Sequence, residues 1–298
     1  MSASKITGKS VEEYEAYNLQ YGEHHPDRQK IGKVDELGLG FGGWLGAWRQ
    51  FDDSDTFTDR EVKNHILAWR GASPAIVEMW GGQWRGEPCF EKIIPMHAVY
   101  SKNGKPFLGY AELYGVEGMA IYAIQNPGVV FDFRGIKFQV RTVDVVTETD
   151  LGYKANRTDA LVITLLSGRE LTYHEPRLTP STREWACPGE VSITYSTWNS
   201  NPKYGMMGWV RMSTFGGRLT ENIVQATAHD IQRYSIRLLM MNGYPVVLHV
   251  YDENVAEIPI GFGSIAQFEK IMQIMPPWAK GWPVRAAGGW RGHRYRKG

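Results

Sequence analysis

The sequence predicts an α+β fold. Helices open the chain, small antiparallel sheets fill its middle, and a long helix followed by an antiparallel hairpin closes it. Three observations predict this. Residues 58–69 join a helix-capping pattern to helical apolar spacing. Residues 136–171 are rich in β-branched residues and contain a hairpin turn. Residues 220–241 keep a helical period that stops at Asn242-Gly243. At roughly 100–200 residues per domain, 298 residues make one large or two ordinary domains. Apolar residues at 43% and charged residues at 22% lie in the globular range, which excludes a disordered or low-complexity chain.

Residues 1–86 read mostly helical. Thr58-Asp59-Arg60-Glu61 has the form of a capping box, with Val62, Ile66, Leu67 and Trp69 behind it at helical spacing. Ser73-Pro74 forces a break or a restart. Residues 87–200 turn to glycine, proline and β-branched residues. Stretches 136–146 and 160–166 read as strands, Ser167-Gly168-Arg169 as a hairpin turn, and loops are expected at 126–128 and 184–190. Residues 216–298 are regular again. Ile223, Ala226, Ala228, Ile231, Ile236 and Leu239 mark a long helix over 220–241, with Asn242-Gly243 as its C-terminal cap. Strands follow at 244–250 and 255–259. A last helix starts at a Ser264 cap and ends before Pro276-Pro277.

Composition narrows the function classes. Lys plus Arg is 33 against 32 for Asp plus Glu, so a uniformly basic coat for nucleic acid is excluded but a local one is not. Two cysteines, Cys89 and Cys187, cannot staple a chain of this length and suggest a reducing compartment. The opening Met-Ser-Ala-Ser-Lys-Ile-Thr-Gly-Lys-Ser lacks an apolar signal core. Apolar runs such as 244–250 fall far short of the ~20 residues of a spanning helix. The expectation is a soluble intracellular protein with no membrane partner. The 11 tryptophans could stack on sugars or bases, or simply fill a core.

Three segments carry candidate chemistry. In Tyr251-Asp252-Glu253, between two strands, adjacent carboxylates are costly without a cation nearby. A divalent metal relieves that cost, with Asp252 the better aimed of the pair; an ordinary polar turn is the alternative. In Arg28-Gln29-Lys30-Ile31-Gly32-Lys33 through Gly43, residues Lys33, Leu37 and Phe41 are spaced by four. A helix would align ammonium, aliphatic and aromatic groups on one face, fit for a triphosphate and a base, or else simply pack a core. No P-loop pattern is present. In 215–230, Arg218, Asn222 and Gln225 share a helix face, and their side chains can reach minor-groove acceptors and phosphates or merely face solvent. Residues 270–298 add seven Lys or Arg, no Asp or Glu, and the aromatics Trp290 and Tyr295, a pattern suited to phosphates and bases as well as to a solvated tail.

In this order the segments resemble the C-terminal part of family A DNA polymerases, in the phage and prophage branch. Arg28 to Gly43 resembles motif B of the fingers. Gly216-Gly217-Arg218 to Ala226 resembles the palm helix on the primer–template minor groove, and His249-Val250-Tyr251-Asp252-Glu253 resembles motif C. Ala68-Trp69-Arg70, Asn126-Pro127-Gly128, residues 165–173 and residues 289–297 also match. The resemblance implies fingers over 1–212, helical with small inserted sheets, and a partial palm over 213–298, without the thumb. It implies nucleotide binding by Arg28, Gln29, Lys33, Leu37 and Phe41, with Lys33 able to protonate the leaving pyrophosphate. Gly42, Gly43, Arg218, Asn222, Gln225, His249, Arg291 and Arg294 would contact DNA. Asp252 would ligate one of two Mg²⁺ ions, and Glu253 would assist it.

The chain departs from the family at three points. Gln29 stands where the family has arginine, and Tyr251 where it has histidine. Motif A, Asp-x-Ser-x-x-Glu, is absent, and Ser2-Ala3-Ser4 resembles the stretch just past it. The expected function is therefore DNA-directed DNA synthesis, a nucleotidyltransferase activity on primer–template DNA and deoxynucleoside triphosphates. It would be inactive in the isolated chain and would need an N-terminal polymerase fragment carrying motif A and the thumb to complete the second metal's ligands. The setting would be the cytoplasm of a bacterial host. A non-catalytic nucleic-acid-binding remnant is the alternative, and a carbohydrate module answers only to the tryptophan count.

Overall fold

The computed structural model describes residues 2–52, 56–81, 115–149, 152–180 and 191–295. Cys89, Cys187 and the loop expected at 184–190 lie outside them. The chain divides into two compact units, residues 1–163 with 170–222, and residues 164–169 with 223–298.

The first unit begins with helices α1 (Ser2–Thr7) and α2 (Val11–Tyr21), a π-helix (Arg28–Lys33), α3 (Val34–Leu39), α4 (Leu45–Arg49), α5 (Asp59–Ala72), α6 (Pro74–Trp80) and α7 (Gly115–Gln125). The capping box expected at 58–61 is present. The Glu61 amide donates to Thr58 Oγ1 at 3.4 Å, and the Thr58 amide donates to Glu61 Oε2 at 2.8 Å. Such a cap contributes about 1 kcal/mol. Behind it Val62, Ile66 and Trp69 are buried. Pro74 takes the first turn of α6, where its missing N–H costs no helical bond. Val34, Leu39, Trp48, Val62, Ile66, Trp69, Val77 and Trp80 form the core of this helical part. Each fully buried aliphatic there contributes about 1.5–3 kcal/mol. Three of the tryptophans are thus ordinary core residues.

Six described strands follow: β1 (Phe131–Phe133), β2 (Ile136–Thr149), β3 (Gly152–Thr164), β4 (Glu170–Pro180), β5 (Val191–Asn199) and β6 (Gly208–Thr214). They form one sheet in sequence order. The pairings β1–β2, β4–β5 and β5–β6 are antiparallel. The turn expected at 167–169 joins β3 to β4, closed by the Leu165 amide donating to the Arg169 carbonyl at 2.8 Å. In β3, residues 160–163 are all buried.

Helix α8 (Gly216–Met241) leads from the first unit into the second. It stops where the sequence places its end: the Gly243 amide donates to the Met240 carbonyl at 3.2 Å, and Gly243 takes φ 81°. Strands β7 (Val246–Val250) and β8 (Glu253–Ala256) then pair antiparallel, and α9 (Ile265–Met272) starts at the Ser264 cap. The second strand lies earlier than the expected 255–259, because a two-residue turn at 251–252 sets Val250 opposite Glu253. Leu239, Tyr244 and Ile271 form a small core. The buried Tyr244 hydroxyl donates to Gln267 Oε1 at 2.8 Å and accepts from the Ser264 amide at 3.2 Å, fixing the start of α9. No described helix is long and apolar enough to cross a membrane.

Candidate functional site

The segment 28–43 is not the uniform helix its four-residue spacing predicts. Arg28–Lys33 is wound as a π-helix, α3 is α-helical, and Phe41 falls in the turn beyond. The turn forms because Gly42 takes φ 80°, which a side chain resists. The π winding has a consequence for the departure at position 29. Hydrogen bonds closing from i to i+5 bring residues five apart into neighbouring turns. Arg28 and Lys33 are five apart, so the arginine lies a turn ahead of the lysine even though Gln29 occupies the α-helical position. Both are exposed.

The stripe is a solvent-facing one. Leu37 is 50% exposed and Phe41 partly so, while Val34, Asp35, Gly38 and Leu39 are buried on the other side of α3. This argues against a core role for Leu37. Beneath it, Trp48 Nε1 donates to Asp35 Oδ1 at 2.5 Å, and burial pushes the Asp35 carboxyl up to about 6. Arg70, on α5, is also buried. It donates to the Gly43 carbonyl at 2.7 Å, and its guanidinium lies 5.1 Å from the Trp44 ring and 5.6 Å from the Trp80 ring. Burial lowers its pKa to about 10, so it stays cationic at neutral pH. The Ala68-Trp69-Arg70 match carried this residue; its task, clamping the turn that follows α3, is visible only in three dimensions.

That turn abuts the start of α8. A Cβ on Gly217 would lie 2.0 Å from the Phe41 carbonyl oxygen, and one on Gly42 would lie 3.5 Å from Gly217 Cα. Two of the three resembling segments therefore meet backbone to backbone. Just beyond, Arg218 is exposed, with its guanidinium 6.0 Å from the Phe215 ring and a bond to the Ser213 carbonyl at 3.2 Å. Asn222, one turn on, donates to the Tyr173 hydroxyl at 2.8 Å; burial raises the pKa of that phenol. Gln225 is exposed further along the helix.

In the second unit, Tyr251 and Asp252 form the tip of the β7–β8 hairpin. Tyr251 takes φ 52° and is 89% exposed. An aromatic residue there is strained, by a cost on the order of 1 kcal/mol. Asp252 is exposed and has no hydrogen bond or ion pair among the described residues. Glu253 accepts from the Tyr295 hydroxyl at 2.8 Å, which raises the pKa of that tyrosine, and its backbone carbonyl accepts from Gln232 of α8. His249 is exposed, its ring centroid 6.2 Å from that of His229. Arg291 donates to the Phe262 and Gly263 carbonyls at 2.6 and 3.2 Å, holding a loop, and Arg294 is exposed. Lys33 and Arg28 thus belong to one unit, Asp252 and Glu253 to the other.

No family model and no solved structure matches the chain. The chain is similar to the DNA polymerase of Bacillus phage SP02, with 31% identity over 264 residues. The match takes in 88% of this chain and 32% of the phage protein, so the chain spans about a third of its relative's length.

Proposed function

We propose that this chain is the fingers and C-terminal palm part of a family A DNA polymerase and takes part in DNA-directed DNA synthesis. The similarity across 264 residues carries this reading. The exposed Lys33–Leu37 stripe on a buried base supports it, because a core helix would not leave that face open. In this reading Lys33 and Arg28 hold the triphosphate of the incoming nucleotide as paired cations on neighbouring turns. Leu37 and Phe41 lie against its base, and Lys33 delivers a proton to the departing pyrophosphate oxygen. Arg218, Asn222 and Gln225 hold the duplex, with His249 and Arg294 as further DNA contacts.

Asp252 presents hard oxygen donors at a solvent-exposed tip, a donor type that suits Mg²⁺. Bound there, Mg²⁺ would neutralise charge on the reacting phosphate and the attacking 3′-oxygen. Asp252 would be its ligand, Glu253 a nearby acid. These 298 residues contain no Asp-x-Ser-x-x-Glu segment, so the second carboxylate comes from additional polymerase sequence carrying motif A and the thumb.

The test is primer extension. The chain is combined with an N-terminal polymerase fragment that carries Asp-x-Ser-x-x-Glu, with Mg²⁺ and all four deoxynucleoside triphosphates. Extension by the combination, lost with Asp252→Ala, is the expected result. Binding of primer–template without extension would instead identify a non-catalytic remnant.

A further inference from the structure

One aromatic band has no part in the site above. On the six-stranded sheet, Trp198 of β5 pairs with Trp209 of β6, Ser196 with Arg211, and Thr194 with Ser213. Strand β4 adds His174 opposite Ser196 and Arg177 opposite Thr194. Directly paired residues project to the same face. Trp198, Trp209, His174, Arg211 and Arg177 therefore share one face, while the alternate residue Ile193 is buried on the other.

The tryptophans are 58% and 52% exposed. Their rings meet edge to face at 6.2 Å, and His174 meets Trp209 at 6.1 Å, giving a row of three aromatic groups. Large aromatics on a sheet face normally bury their area against a second layer. Here they stand beside cations. Arg211 is held in place by the Glu175 carbonyl at 3.0 Å, Glu175 Oε2 at 3.2 Å and Ser196 Oγ at 3.3 Å. Arg177 is exposed and without an ion pair among the described residues. Arg218 bonds to the Ser213 carbonyl on the same strand as Trp209 and is likewise unpaired with any described carboxylate.

We propose that this band binds single-stranded nucleic acid, with unpaired bases stacking on Trp198 and Trp209 and phosphates lying along Arg211 and Arg177. Aromatic faces with flanking guanidiniums bind every base alike, because each base has a π-face and each nucleotide a phosphate. An apolar protein partner would not account for the exposed Arg177 on the same face, nor for Arg211 beside the rings, whose charge Glu175 only partly offsets. The inference rests on the polymerase reading only for direction: the band adjoins Arg218, so the strand it holds would be unpaired template approaching the duplex grip.

The experiment is fluorescence anisotropy on the full chain, with a labelled oligothymidylate and a labelled blunt duplex of equal length, each over a salt series. The wild type binds the single strand in a salt-dependent manner. Trp198→Ala/Trp209→Ala lowers the ratio of single-strand to duplex affinity at least about tenfold, since each stacked base contributes substantially. Trp198→Phe/Trp209→Phe keeps most of that ratio, which separates lost stacking from lost folding. An unchanged ratio in the alanine variant with an intact circular dichroism spectrum overturns the proposal. So does a wild type that binds no single strand, or a variant whose only change is lost self-association by sedimentation, which would make the band an interface between copies. None of these results depends on primer extension, so the band can fail while the polymerase reading stands, and the reverse.

Discussion

The segment 28–43 and the hairpin 246–256 each hold candidate catalytic groups in solvent, but on different foundations. Lys33 and Leu37 stand on a helix whose far side is buried against Trp48, and the turn after it is clamped by Arg70 and wedged against Gly217. The hairpin rests on one small core through Val246 and Ala256, while Val247 is 61% and Leu248 44% exposed. Its tip carries a strained tyrosine. A rigid base suits groups that must hold a polyanion in one geometry. A thinly supported tip suits a carboxylate that acts once further protein, metal or substrate surrounds it.

The largest test of that contrast is catalytic. In the combined enzyme described above, Asp252→Ala is expected to lower extension about a thousandfold, and Lys33→Ala about a hundredfold. The readout is single-turnover extension under saturating nucleotide. If Lys33→Ala changes nothing, the rigid segment is a scaffold, and the contrast loses its functional meaning.

The next test is mechanical. Gly217→Ala drives a methyl group into the Phe41 carbonyl and is expected to destabilise the chain by about 3 kcal/mol in urea. Gly261→Ala, in the second unit, meets no atom within 4 Å and opposes only its φ of 89°. It should cost about 1 kcal/mol. Equal costs would mean that the segment at 41–42 can yield as readily as an open loop.

The third test uses pH. Asp35 has an ordinary carboxyl value of 3.8 and a folded value of about 6. The folded state therefore holds this proton more tightly than the unfolded chain does. Its contribution favours folding below about pH 4, fades as pH rises to about 6, and becomes a full penalty above. A shift of about two pH units corresponds to roughly 3 kcal/mol. Asp35→Asn keeps an acceptor for Trp48 and cannot ionise. It should match the wild type near pH 4 and exceed its stability by about 2–3 kcal/mol at pH 8, measured by urea unfolding. No gain at pH 8 would show that the carboxylate has compensation beyond its bond to Trp48.

Much of this contrast was hidden from the sequence, and the reason is distance along the chain. The box at Thr58–Glu61, the stop at Asn242-Gly243 and the Ser264 cap are written in neighbouring residues, and each is found where it was expected. The bond from Trp48 to Asp35 joins residues 13 apart, and that from Asn222 to Tyr173 joins residues 49 apart. No local pattern encodes either. The π turn escaped because α-helical spacing is the only ruler that a periodicity reading applies. Of the sheet's strands only those at 136–146 and 160–166 were legible singly, and the union of six into one sheet, with two tryptophans side by side on its open face, depends on register. The candidate residues 33, 37 and 252 came from segment order and resemblance, while what holds them came only from packing.

The smallest expected effect bears on the hairpin alone. Tyr251 adopts a left-handed conformation that asparagine accepts far more readily. Tyr251→Asn should therefore stabilise the chain by about 0.5–1 kcal/mol, and Asn, unlike Gly, avoids extra freedom in the unfolded state. The lost ring is 89% exposed, so its removal forfeits little buried area. If the strain is retained because the ring meets the primer end beside Asp252, the stabilised variant will extend primers more slowly in the combined enzyme while melting higher. A variant that gains stability and keeps its extension rate would show that the tip's conformation serves only to turn the chain, and that Asp252 works without an aromatic neighbour.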